Sequence, residues 1–182
     1  MSTVTFSRLI EAPADELWRV FTDLPARPRW LCQVDAVEVL ATAGPGGPGE
    51  SSPPPAPRMG AAFGIGTVWR ESRTGPDGIG MVEEFAVREA VPPRRLVVSS
   101  SGDGVDYLTT YTFIPVEARR PGRGRTVVTV SHEGAPTARY GRLLAVVFGG
   151  LAARAGEGAL RRDLADLATI TEPDRIDPAA AA

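Results

Sequence analysis

"VDYLTTYTFIPVEARRPGRGRTVVTVSHE" (residues 105–133) holds two alternating runs on either side of a segment rich in Arg, Gly and Pro. Tyr107, Thr109, Tyr111 and Phe113 share one face of the first run; Val128, Val130 and His132 share one face of the second. Side chains two residues apart point the same way on a strand, so this is read as an antiparallel hairpin whose two faces look into one interior. The only histidine of the chain then points the same way as two valines, and the question is whether it serves as a base or lines something apolar.

Upstream, the same pattern repeats at short spacing. "FGIGTVWRES" (63–72), "IGMVEEFAVREA" (79–90) and "RRLVVSSS" (94–101) are separated by "RTGPDG", "VPP" and "SGDG", the turn chemistry of an antiparallel meander. Further back, "VDAVEVLA" (34–41) is another strand, and "VTFSRLI" (4–10), with Val4, Phe6, Arg8 and Ile10 on one side, is the first. Between those two, "EAPADELWRVFTD" (11–23) carries Pro13 at its start and Asp15 and Glu16 in the first turn, where carboxylates favour a helix N-terminus. "LPARPRWL" (24–31), with two prolines, reads as a very short helix or a turn ending at Trp30.

Residues 42–58, "TAGPGGPGESSPPPAPR", offer too little apolar area to offset ordering entropy and are read as a surface-loop insertion in a hairpin, not a domain boundary. A long helix is expected from about Thr137 to Ile170. Leu144, Val147, Phe148 and Leu151 share one face of it, while Leu160, Leu164 and Leu167 fall on nearly the opposite one, with Gly156 and Gly158 between. The result is one domain over residues 1–171 with a frayed tail at 172–182, of α+β class: a curved antiparallel sheet of about seven strands gripping a C-terminal helix.

Composition excludes several functions. A hydrophobic fraction of 43% and a net charge of −2 are those of an ordinary globular chain without the basic field nucleic acid requires. No apolar run approaches the roughly 20 residues of a membrane-spanning helix, and the N-terminus lacks a leader pattern, so a cytoplasmic protein is expected. Neither Lys nor Asn occurs, which removes a Walker-type phosphate loop and a Schiff-base lysine. One Cys and one His make neither a disulfide nor a zinc site of the usual ligand set; no metal and no cofactor is expected. No Gly-x-Ser-x-Gly elbow is present for hydrolase chemistry.

The stretches "IEAPADELWRVFTDLPARPRWL", "GIGTVWRES", "VREAVPPRRLVV", "YTFIPV", "GRTVVTVSHEG" and "LRRDLADLATITE", in that order, span nearly the whole chain. Together they resemble the START/polyketide-cyclase-like (SRPBCC) superfamily. The resemblance implies the helix-grip fold and a deep, mainly apolar cavity for a lipid-, polyketide- or aromatic-like ligand. It does not fix a reaction, because that superfamily mixes carriers, aromatase/cyclases, dioxygenase subunits and chaperone activators. The position held here by His132 is more usually apolar in that family.

Placed on this frame, Trp30, Trp69, Tyr107, Thr109, Tyr111, Phe113, Val130 and His132 are the expected wall of the cavity, with Leu144, Phe148 and Leu151 as its helical lid. No catalytic set is assigned; His132 and Tyr111 are the candidates if a reaction occurs. If the strand is regular, one of Glu83 and Glu84 faces inward and would need a partner such as Arg70; the alternative is a solvated edge pair. The expected function is binding of a small hydrophobic molecule. The alternatives are a cyclase/dehydratase using the same cavity and a regulatory interaction module using the outer surface. Ligand identity and oligomeric state are not written in the sequence.

Overall fold

The computed structural model describes residues 2–43, 63–74, 78, 80–102, 104–117, 124–136 and 157–172. Alternation of apolar and polar side chains places seven strands: β1 (Ser2–Ile10), β2 (Val34–Ala41), β3 (Val68–Thr74), β4 (Gly80–Val91), β5 (Arg95–Gly102), β6 (Val105–Val116) and β7 (Arg125–Pro136). They form one antiparallel sheet in the order β1-β7-β6-β5-β4-β3-β2, a six-strand meander whose last strand takes β1 as its outer neighbour. Register shifts between Val34 and Ala36, between Val39 and Ala41, and between Val87 and Glu89 add local twist where β2, β3 and β4 lie.

Pro13, extended at φ −71°, caps α1 (Ala14–Thr22), and Asp15 and Glu16 occupy the first turn. Ala14, Leu17 and Phe21 face inward from α1, and a 3-10 helix over Leu24–Arg29 follows at once. A second helix, α2, covers residues 157–171. Its Leu164, Leu167 and Ala168 are buried in one cluster with Ile10, Leu17, Leu96, Val98, Phe113, Val128 and Val130. Full burial of each such leucine or phenylalanine contributes about 1.5–3 kcal/mol, so the inner stripe of α2 is held chiefly by the apolar interior. Polar ties add direction: Cys32 N–H donates to Asp166 Oδ2 at 2.9 Å and Glu11 N–H to Glu172 Oε1 at 3.3 Å.

The structure adjusts some sequence-derived boundaries. The segment 63–72 is not extended throughout: residues 63–67 turn, with Thr67 N–H donating to Gly64 O at 3.0 Å and Gly66 at φ 89°, and β3 starts only at Val68. β7 continues beyond Glu133 to Pro136, because Gly134 leaves room for the Tyr107 ring, whose Cε1 would lie 3.3 Å from any Cβ there. Thr171 and Glu172, at the expected start of the tail, are tied down; the Thr171 hydroxyl donates to Leu167 O at 2.7 Å. Most of the 42–58 insertion, the first part of the expected long helix with Leu144, Phe148, Leu151 and Gly156, and the tail from 173 onward lie outside the described residues.

Candidate functional site

The β6–β7 hairpin pairs Phe113 with Val128, Tyr111 with Val130 and Thr109 with His132. Its inward face therefore runs from a fully buried apolar end to a half-buried polar one. At the polar end, Thr109 Oγ1 and His132 Nδ1 share a hydrogen bond of 2.8 Å, and the Tyr107 ring stacks on the imidazole at 4.9 Å and 15°. Burial disfavours the charged imidazolium and pushes the His132 pKa below its ordinary value, so the ring is neutral at pH 7.

At the other end, aromatic side chains from α1, from Trp30 just after the 3-10 helix, and from β3 and β4 close around the same interior. Phe21 lies 4.6 Å from Tyr111 and 6.0 Å from Phe113, and Trp18 meets Phe113 edge-on at 5.8 Å. Trp69 stacks on Phe85 at 5.2 Å and 17°. Trp30, Phe85 and Tyr111 pack against the core without being fully buried. Burial in apolar surroundings raises the Tyr111 pKa, so the phenol stays protonated.

Beneath these rings lies a group of charges that the sequence reading did not find. Glu71 is fully buried and Arg27 is 5% exposed. Trp69 Nε1–H donates to Glu71 Oε1 at 2.9 Å, and Arg73 Nη2–H donates to Glu71 Oε2 at 2.8 Å and to Asp163 Oδ2 at 3.2 Å. Arg27 Nε stands 2.9 Å from Glu71 Oε1, within ion-pair range, but its N–H is not aimed at that oxygen and forms no hydrogen bond. The Arg27 guanidinium also faces the rings of Phe21, Trp69 and Trp30, its Cζ 5.1, 5.8 and 6.0 Å from their centroids. Burial alone would raise the Glu71 pKa, but Arg27, Arg73 and the Trp69 N–H reverse this and hold the carboxyl below its ordinary value. Asp163 shows the opposite balance, burial raising its pKa more than Arg73 lowers it.

A signal for this group was present in "WRESR". Once Trp69 faces inward, strand periodicity sends Glu71 and Arg73 after it. Glu83 is the inward member of its pair, opposite Glu71, and burial raises its pKa although Ser100 donates a hydrogen bond to it. The expected partner is corrected: Arg70 faces outward and bridges Glu38 at 3.2 Å and Glu84 at 3.3 Å. Pleating puts Arg70 on the face opposite Glu83, so the two cannot meet. Of the other residues expected in the wall, Trp69 and Phe113 are fully packed core and Val130 is fully buried beside Tyr111. Trp30, Tyr107, Tyr111 and His132 keep partial exposure.

A cleft of 390 Å³ lies over β5, β6 and β7, bordered by Arg88, Ser99, Ser101, Asp106, Leu108 and Glu133, and also by Ser100, Tyr107 and Gly134. Tyr107 therefore borders this cleft as well as stacking on His132. Among the described residues no His, Cys, Asp and Glu cluster is arranged to hold a metal ion, and no helix is long and apolar enough to cross a membrane.

A curved antiparallel sheet with a C-terminal helix packed in its concave side, and an aromatic interior between them, defines an α+β protein of the helix-grip type. The chain belongs to the family described as polyketide cyclase / dehydrase and lipid transport, whose pattern matches residues 1–172. No curated protein sequence matches it. Among solved structures it is similar to a START superfamily protein from Mycobacterium smegmatis, with TM-score 0.63 and 13% identity over 93% of this chain and 97% of that one. A protein from Thermus thermophilus is similar at TM-score 0.60 and 19% identity, over 92% and 95% of the two chains. So is BexL, a di-domain ARO/CYC protein from the BE-7585A biosynthetic pathway, at TM-score 0.60 and 19% identity; the match covers 94% of this chain and 51% of that one. At these identities the likeness is one of fold.

Proposed function

We propose that the protein binds a small hydrophobic molecule, lipid-, polyketide- or aromatic-like, between the concave face of the sheet and the C-terminal helix. One observation carries this reading: Trp30, Phe85 and Tyr111 turn inward and pack on the core, yet keep accessible surface that a filled interior would have removed. An apolar wall with a few polar points is the usual make-up of a small-molecule site. Burial of ligand surface supplies roughly 25 cal/mol per Å² before the entropy of binding is subtracted. Family membership supports the same reading. The test is native mass spectrometry of the protein purified from its own host, followed by titration of the released compound into wild type and Tyr111→Ala. Retained affinity in Tyr111→Ala would remove Tyr111 from the site.

A second reading, cyclase or dehydratase chemistry in the same cavity, is favoured by the state of His132. A neutral imidazole held through Nδ1 by Thr109 is able to accept a proton near neutral pH. Turnover of a poly-β-keto substrate that is lost in His132→Ala and kept in the outer-face variant Glu84→Ala would establish it.

A further inference from the structure

Carboxyl groups outnumber guanidinium groups where β3, β4 and α2 meet. Glu71 and Arg73 come from β3, Asp163 from α2 and Arg27 from the 3-10 helix. Glu83 on β4 stands directly opposite Glu71 in the strand register, so its side chain enters the same group. Both guanidiniums are already engaged: Arg27 Nε stands 2.9 Å from Glu71 Oε1, and Arg73 Nη2 donates to Glu71 at 2.8 Å and to Asp163 at 3.2 Å. Among the described residues no guanidinium lies within ion-pair range of Glu83, and the hydroxyl of Ser100 on β5 is its hydrogen-bond donor. Tyr111 on β6, near the same charges, keeps its phenol protonated and adds no charge of its own. With Glu71, Asp163 and Glu83 all ionised, the group would hold one negative charge in excess inside the protein, and the chain contains no lysine to offset it.

We propose that Glu83 is a proton-operated latch for α2: while Glu83 carries a proton, Arg73 ties the sheet to Asp163, and when Glu83 ionises, Arg73 turns to it and releases the turn of α2 that carries Asp163. The reach is available. Arg73 pairs with Met81 in the register, two residues from Glu83, so Glu83 is a diagonal neighbour of Arg73 on the same face, within range of a long side chain. Met81, directly opposite Arg73, is 54% exposed and does not wall the guanidinium in. Glu83 itself keeps partial exposure, which gives protons a route from solvent. Burial, helped by the Glu71 charge, raises the Glu83 pKa above its ordinary 4.5, outweighing Ser100 and Arg73. The latch is therefore closed below that raised value and open above it, whatever the interior binds.

Hydrogen exchange read by mass spectrometry on the full-length protein tests this, over a pH series from about 5 to about 9 with rates corrected for the intrinsic pH dependence of exchange. In the wild type, the α2 peptide containing Asp163 should lose about fivefold in protection as pH rises through the Glu83 midpoint. Glu83→Gln, an uncharged side chain of the same shape, should keep that peptide protected across the same rise. Asp163→Asn should show no such loss and start from lower protection than Glu83→Gln. Ser100→Ala removes a hydrogen bond that favours the carboxylate, so it should move the loss to higher pH. Titration of His132 and of Asp163 itself is common to wild type and Glu83→Gln, so the difference between those two isolates Glu83. The same loss of protection in Glu83→Gln as in wild type, or no loss in wild type, overturns the proposal. Where Glu83→Gln fails to fold, an unshifted midpoint in Ser100→Ala overturns it instead.

Discussion

Arg73 on β3 and Asp163 on α2 meet at 3.2 Å between Nη2 and Oδ2, with both side chains less than one-fifth exposed. The same Nη2 lies 2.8 Å from Glu71 Oε2, so one guanidinium joins the floor of the sheet to the helix that packs over it. The two carboxylates are not equivalent. Glu71 is fully buried between two arginines and is stabilised as an anion, whereas the environment of Asp163 resists its ionisation.

Glu71→Gln should therefore cost far more stability than Asp163→Asn. Losing the Glu71 charge leaves Arg27 and half of the Arg73 pairing uncompensated inside the protein, a loss of about 3–5 kcal/mol. Asp163→Asn removes a charge that burial already penalises, keeps an amide oxygen facing Arg73 and leaves Arg73 paired with Glu71, so the loss is that of one weakened hydrogen bond, about 1 kcal/mol. Urea denaturation of the two variants beside wild type checks this, and equal losses would contradict the inequivalence.

His132 sets a pH dependence whose sign is fixed by the direction of its shift. Its folded-state pKa lies below the ordinary value of 6.5 because burial disfavours the cation. Above pH 6.5 the imidazole is neutral folded and unfolded. Between 6.5 and the lower folded value, the unfolded chain binds a proton that the native state refuses, so stability falls as pH falls through that window. His132→Gln should flatten this slope. A proton NMR titration should place the His132 midpoint below 6.5.

Gly124 lies against the start of α1. A Cβ on it would stand 2.6 Å from Pro13 Cβ and 2.7 Å from Pro13 Cα, both on a backbone-anchored ring. Gly124→Ala should cost about 1–3 kcal/mol through overpacking, read as a lowered Tm. Gly134→Ala meets only the edge of the Tyr107 ring at 3.3 Å, a side chain free to rotate away, and should cost less.

Strands were legible because each alternates over a solvated and a covered face. Tyr107, Tyr111, Val128 and His132 could be put on one side by counting in twos, and the observed register of β6 against β7 is the one that this counting requires. The ion group was not legible for a related reason. Arg27, Glu71, Arg73 and Asp163 come from the 3-10 helix, β3 and α2, and each taken alone has the composition of a surface position. Only the packing of α2 and the 3-10 helix on β3 brings their charges together. Arg70 was misassigned because it is the one arginine of "WRESR" adjacent to Trp69, and adjacency on a strand means the opposite face.

The apolar stripe of α2 should prove a stronger hold than its ion pair. Leu167 is fully buried and Leu164 nearly so, whereas Ile170, three residues on from Leu167, is 55% exposed. Leu167→Ala removes buried side-chain atoms from a cluster that includes Phe113, Val128 and Leu17 and leaves a cavity in the apolar interior. The expected loss is about 2–5 kcal/mol. Ile170→Ala removes atoms already in water, so its effect should stay within about 0.5 kcal/mol. If Leu167→Ala costs more than Asp163→Asn in the same denaturation series, apolar burial seats the helix and Arg73 only sets its register. The reverse order would make the Arg73–Asp163 pair the principal attachment.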